Sequence, residues 1–270
     1  MDIKAVTIRE NLFKFKDSFL PSKMKQSQKI QVCLPRPLNE NPLVVGQGSH
    51  PFMTRGFDPK LYKIILLDQR GCGRSVPHAS VPTTDMSLNT TWHLIGDLET
   101  LRLHLGVERW LICGASWGSA LVLAYATKFP ERVTELVLSA IFTAHVSEYQ
   151  WLYHDVAASL PKEFEAFRRM GSKIDRSKSV FYNYMVLLDA NDRSTRLAAA
   201  RAWCDWEDAV VSNEPNGRRD RGCRAVVAED LCTNWPNASL TILEVSGHLA
   251  SPSKKLLLLE ALQKFAPPER

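Results

Sequence analysis

Apolar and polar positions follow two different periods along this chain, and the change of period divides it. Residues 62–67 (Tyr-Lys-Ile-Ile-Leu-Leu) and 110–113 (Trp-Leu-Ile-Cys) are almost continuously apolar. That is the pattern of strands covered on both faces in a parallel sheet. Residues 43–45 before Gly46, 133–138 and 240–245 predict three further strands. Between 90 and 105, the apolar residues Trp92, Leu94, Ile95, Leu98, Leu101, Leu103 and Leu105 mostly keep helical spacing. Asn89 or Thr90 is the expected cap and Gly106 the expected stop. Residues 120–129 predict a small-residue helix halted by Pro130, and 254–265 an amphipathic one. Strands alternating with helices imply a mostly parallel sheet with helices on its flanks.

From about 145 to 210 the strand runs cease. Trp151, Tyr153, Phe164, Phe167, Phe181, Tyr182, Tyr184, Trp203 and Trp206 mix with charged residues at helical spacing. The expected organisation has four parts. Residues 1–40 form a divergent N-terminal segment, and 41–144 the first part of an α/β core. Residues 145–212 form an inserted helical cap, and 213–270 complete the core.

Composition narrows the function classes. The chain has 270 residues, 45% hydrophobic and 23% charged, which is ordinary for a globular protein. Its formal charge of +5 is spread out, with a mild basic excess near the start. No basic stripe carries interleaved aromatics, so no nucleic-acid partner is expected. No apolar run approaches the roughly 20 residues that span a bilayer, so no membrane partner is expected either. The six cysteines form no Cys-x-x-Cys pair and no group at zinc spacing. Reduced thiols, a cytoplasmic location and no metal are the expectations.

Gly114-Ala115-Ser116-Trp117-Gly118 fits Gly-x-Ser-x-Gly, with a predicted strand before it and a helix after it. In that context the glycines allow a sharp strand-to-helix turn that lifts the serine hydroxyl above the sheet. A serine nucleophile needs a base. His248 follows the predicted strand 240–245, at the sheet end where such folds place their chemistry. His93, His104 and His154 read as surface or packing residues. The base needs a carboxylate to hold its tautomer. The chain order Ser, Asp, His points to an acid between 140 and 248: Asp220, with Glu229 and Asp230 as rivals. Residues 68–75 (Asp-Gln-Arg-Gly-Cys-Gly-Arg-Ser) lack both phosphate-loop patterns.

Several stretches together resemble the proline iminopeptidases, α/β-hydrolases that remove amino-terminal proline from peptides. They are Phe57-Asp58-Pro59, residues 68–75, Asn89-Thr90-Thr91-Trp92, residues 114–119, residues 123–126, and residues 199–203 with Trp206-Glu207. The resemblance implies an α/β-hydrolase fold with an inserted helical cap. Through Gly217-Arg218-Arg219-Asp220, Trp235-Pro236 and Gly247-His248, it implies the triad Ser116, Asp220 and His248. It also implies that Glu207 reads the substrate's free amine, that Phe142 and Trp117 neighbour the proline pocket, and that no cofactor is used. The backbone N–H of Trp117 would be one oxyanion donor.

The chain departs from the family in four places. The family's His-Gly-Gly-Pro-Gly loop reads Gly46-Gln47-Gly48-Ser49-His50-Pro51, which leaves Gly48 as the second oxyanion donor. The strand expected directly before the triad aspartate is replaced by the polar run 211–219, and a second amine-reading glutamate is missing with it. Residues 139–142 read Ser-Ala-Ile-Phe instead of Arg-Gly-Ile-Phe, and residues 1–40 do not resemble the family's opening strands. These departures imply a truncated or degenerate member. The expected function is a serine exopeptidase acting on peptides with amino-terminal proline. The alternatives are a catalytically impaired binding relative and an esterase or amidase of other specificity.

Overall fold

The structure is a computed structural model and describes residues 32–33, 42–45, 62–81, 83–172, 174–175, 177–212, 220–243, 246–248 and 251–265. Five strands form one sheet among these residues: β1 (Val32–Cys33), β2 (Pro42–Val45), β3 (Lys63–Leu67), β4 (Trp110–Ser116) and β5 (Val133–Ile141). Their order is β1-β3-β2-β4-β5. β1 runs antiparallel to β3, and the other pairs are parallel.

The continuous apolar runs reflect cover on both faces. Ile65, Leu67, Trp110, Ile112 and Leu136 join α1 (Thr91–His104) and α2 (Trp117–Lys128) in one core cluster. The alternate residues Ile64, Leu66, Leu111, Cys113 and Val137 pack with Ala261 and Leu262 in another. α1 turns Leu94, Ile95, Leu98 and Leu101 inward and ends at Leu105-Gly106, where Gly106 has φ 64. Thr90 is at its N-cap without a side-chain cap bond; its Oγ1 pairs with His93 Nδ1 at 2.8 Å instead.

Residues 68–75 wrap their own aspartate. Asp68 Oδ2 accepts from the Arg74 backbone N–H and Nε, both at 3.1 Å, and Ser75 Oγ donates to the Asp68 carbonyl at 2.6 Å. Gly73 has φ 57, and a Cβ there would lie 2.5 Å from Asp68 Cγ. Gly73 therefore makes room for a carboxylate of the chain itself. Behind it, Arg70 pairs with Asp97 of α1 and donates to the Leu88 carbonyl.

The remaining helices are α3 (Val146–Tyr153), α4 (Pro161–Gly171), α5 (Val180–Leu188), α6 (Arg193–Val211), α7 (Ala225–Thr233) and α8 (Pro252–Lys264). The chain divides into two compact units. One comprises Met1–Thr143, Val226–Ile242 and Pro252–Arg270, and the other Ala144–Ala225 and Leu243–Ser251. The second has its own aromatic core. The Phe167 ring stacks on Tyr184 at 4.3 Å and lies 5.5 Å from Trp206, joining α4, α5 and α6. Asp192 caps α6 by accepting from Thr195 N at 2.7 Å, and Ser179 caps α5 from Tyr182 N at 3.1 Å.

One predicted element is corrected. Residues 240–243 belong to no strand, and 244–245 lie outside the described residues. The sheet of described strands ends at β5. A strand exists only through a laddered neighbour, and none of the described strands pairs with 240–243.

Candidate active site

The Ser116 turn is built by steric necessity. β4 runs to Ser116 and α2 begins at the next residue. Ser116 adopts φ 52 and ψ −129, a strained conformation for a residue with a side chain. The turn brings α2 so close to β4 that a Cβ on Gly114 would lie 2.5 Å from the Gly118 carbonyl oxygen and 2.6 Å from Val122 Cγ2. Only glycine fits at 114. Trp117 is the first residue of α2, where backbone N–H groups have no partner within the helix. Its side chain is exposed.

Ser119 fastens the turn from beneath. It is fully buried, its Oγ accepts from Phe142 N at 2.8 Å, and the same hydroxyl faces the Ser116 carbonyl at 2.5 Å and the Phe142 carbonyl at 3.0 Å. One hydroxyl thus ties the elbow to the chain leaving β5. Phe142 is buried there.

Asp220 and His248 meet although 28 residues separate them. Both carboxylate oxygens lie 3.0 Å from His248 Nδ1. Asp220 Oδ1 also accepts from Gly222 N at 2.9 Å and Cys223 N at 2.8 Å. Each side chain is about one-seventh exposed (His248 13%, Asp220 14%). A carboxylate on Nδ1 fixes a neutral imidazole with its proton at Nδ1 and its lone pair at Nε2. The loop carrying Asp220 is anchored in turn: Trp151 Nε1 donates to the Arg221 carbonyl at 2.7 Å, and the Arg224 guanidinium lies over the Trp151 ring at 4.7 Å.

Glu207 is exposed on α6, and its Oε1 accepts from Tyr153 OH at 2.8 Å. The Tyr153 ring sits in an aromatic wall, 4.9 Å from Trp203 and 5.4 Å from Phe181. Burial, then the neighbouring Glu207 charge, pushes its phenol far above the ordinary value, so it remains a proton donor.

Ser116, Trp117 and Phe142 therefore belong to the first unit, and Glu207, Asp220 and His248 to the second. Gly48 lies outside the described residues. The rivals Glu229 and Asp230 are exposed on α7. Ser119, Tyr153 and Trp151 are the supporting residues that sequence reading did not single out for these tasks. Ser119 adjoins the motif, but its partner is 23 residues away. Tyr153 lies 54 residues from Glu207.

Comparison with known proteins adds the family context. The model of a family described as alpha/beta hydrolase fold matches residues 46–222. The chain is 47% identical over 195 residues to a probable proline iminopeptidase of Streptomyces coelicolor, covering 71% of this chain and 60% of that protein. It is 44% identical over 260 residues to a proline iminopeptidase of Xylella fastidiosa strain 9a5c, covering 76% of this chain and 80% of that one. The chain thus spans well under the full length of the Streptomyces relative. Among solved structures, an alpha/beta hydrolase from a Medee basin deep-sea metagenome superposes with TM-score 0.55 at 17% identity, over 90% of this chain and 96% of its own.

Proposed function

The chain belongs to the proline iminopeptidase family of α/β-hydrolases, and on that premise we propose that it is a serine exopeptidase releasing amino-terminal proline from peptides. In this reading Ser116 Oγ attacks the scissile carbonyl while His248 Nε2 takes its proton. Asp220 keeps the Nδ1 proton in place and stabilises the imidazolium that forms. The backbone N–H groups of Trp117 and Gly48 stabilise the oxyanion; one such donor is worth about 10²- to 10³-fold in rate. His248 then protonates the leaving amine, and water releases proline from the acyl-enzyme. Glu207 binds the substrate's cationic amine, a charge-assisted contact that demands a free amino terminus. Phe142 supplies apolar surface to the proline ring, and residues 145–212 act as the cap.

The observation that carries this reading is the Asp220–His248 pair. Two backbone N–H groups and one imidazole converge on a single carboxylate, which is the support a catalytic base needs and an ordinary surface ion pair lacks. A cytoplasmic site of action is part of the proposal, supported by the free thiols of Cys72, Cys113, Cys204 and Cys232. No helix among the described residues is long and apolar enough to cross a membrane.

The test is hydrolysis of a prolyl amide reporter by the purified chain beside Ser116→Ala. Turnover that disappears in the variant supports the reading. A well-folded protein without turnover sinks it. One observation favours a second reading, a relative that binds peptides without cleaving them: residues 240–243, ahead of His248, form no strand to hold the base's loop. Activity on a simple ester but not on a prolyl amide would select a third, an esterase or amidase of other specificity.

A further inference from the structure

Among the described residues, one cluster unites a carboxylate, a thiol and an imidazole: Asp220, Cys223 and His248, whose ligand atoms all lie within 4.8 Å of one another. All three belong to the second unit. The Asp220 oxygens and His248 Nδ1 are already 3.0 Å apart. Two such ligands on a tetrahedral zinc, with bonds of about 2.0–2.1 Å, stand roughly 3.3 Å apart. The thiol of buried Cys223 needs to close by no more than about 1.3 Å to reach a zinc–sulfur bond of about 2.3 Å. The chain beside the pair carries no side chain: a Cβ on Gly222 would sit 3.3 Å from His248 Nδ1 and 3.4 Å from Asp220 Oδ1.

We propose that Asp220, Cys223 and His248 form a chelating site for a thiophilic divalent cation of the zinc class, and that occupying it switches the hydrolase off. The donor set decides the cation. Thiolate, imidazole and one carboxylate suit Zn²⁺, Cd²⁺ or Co²⁺, whereas Mg²⁺ and Ca²⁺ require oxygen ligands. The proton inventory makes the switch. Catalysis needs a proton on Nδ1 and a lone pair on Nε2. A cation on Nδ1 needs the lone pair of that nitrogen, so the ring proton moves from Nδ1 to Nε2, where it occupies the lone pair that catalysis uses, and the thiol proton leaves to solvent. Nε2 then cannot accept the Ser116 proton, and Asp220 is held by the metal. Because binding releases a proton, it tightens as pH rises. The inhibitory half rests on the reading of His248 as base; the binding half does not.

The full chain is titrated with Co²⁺ and followed by absorbance, and is assayed separately on the prolyl amide reporter with Zn²⁺ and then EDTA. One bound Co²⁺ with a thiolate charge-transfer band is expected, displaced by Zn²⁺. Inhibition reversed by EDTA is expected, and it should deepen as pH rises because binding releases a proton. Cys223→Ser retains the backbone N–H that Asp220 accepts. It should abolish the band and weaken inhibition by about tenfold or more, measured against that variant's own metal-free rate. No band in the wild type, or a band that survives Cys223→Ser, overturns the site. A band lost in the variant with wild-type turnover unaffected by Zn²⁺ overturns the switch and the role of His248 together. If the metal-free chain does not turn over the reporter, the Co²⁺ titration still decides the site while the exopeptidase reading fails separately.

Discussion

Glu207 sits in solvent, yet one of its oxygens is fixed by the phenol of half-buried Tyr153. An exposed carboxylate on a flexible side chain loses rotamer freedom whenever it grips a ligand. Tyr153 takes up part of that cost beforehand, because its ring is immobilised by Trp203 and Phe181. Tyr153→Phe removes the hydroxyl and keeps the ring. A hydrogen bond to a charged group is worth about 1.5–3 kcal/mol when shielded and less in solvent. KM for a prolyl amide should therefore rise roughly two- to tenfold, with kcat nearly unchanged. Hydrolysis of a simple ester without an amine should not respond. If Glu207→Gln raises KM and Tyr153→Phe does not, Tyr153 has no positioning role. The turn at Ser116 was legible in its local Gly-x-Ser-x-Gly motif, and the pairing of Asp220 with His248 through the family resemblance. Tyr153 and Ser119 were not, because each takes its meaning from a partner far along the chain.

Strands and helices divide along the same line. The runs 62–67, 110–113 and 133–138 were readable because cover on both faces demands unbroken apolar sequence. Their ends were not: β4 reaches Ser116 and β5 reaches Ile141, since backbone pairing continues where side chains turn polar or small. Thr90 takes the N-cap position as expected but gives α1 no side-chain bond, its hydroxyl pairing with His93 instead. Helical spacing on α1 marked the inward face but could not name the buried charge on it. Asp97 and Arg70 are each 4% exposed at the side chain, and together they tie the loop after β3 to α1. Removing one partner strands the other charge in an apolar setting. Asp97→Ala should cost about 3–5 kcal/mol. The double variant Arg70→Met/Asp97→Leu should recover most of that, because no charge is then left unpaired. Urea denaturation of the three proteins decides it. Equal losses in the single and double variants would mean that the pair contributes shape rather than charge compensation.

Across the whole molecule, a sheet must end somewhere, and where it ends determines what the rest of the chain can do. Residues 240–245 carry strand-forming sequence, Leu-Thr-Ile-Leu-Glu-Val, but 240–243 lie outside every ladder and Ile242 is 43% exposed. Propensity supplies no ladder; a neighbouring strand does. Family resemblance implies such a neighbour directly before the triad aspartate, and the polar run 211–219 stands in its place. Replacing residues 212–219 with the strand-bearing segment typical of the family should supply it. The far-UV circular dichroism should then gain strand signal. The thermal midpoint should rise by about 2–4 °C for each kcal/mol gained in a chain of this size. Turnover of a prolyl amide should rise with it, because the loop leading to His248 would be held by a ladder, and catalytic groups need placement to within about 0.5 Å. Unchanged dichroism and midpoint would mean that 240–245 is irregular for reasons of its own. A higher midpoint without faster turnover would mean that the hydrogen bond His248 donates to Asp220 already holds the imidazole as firmly as catalysis requires.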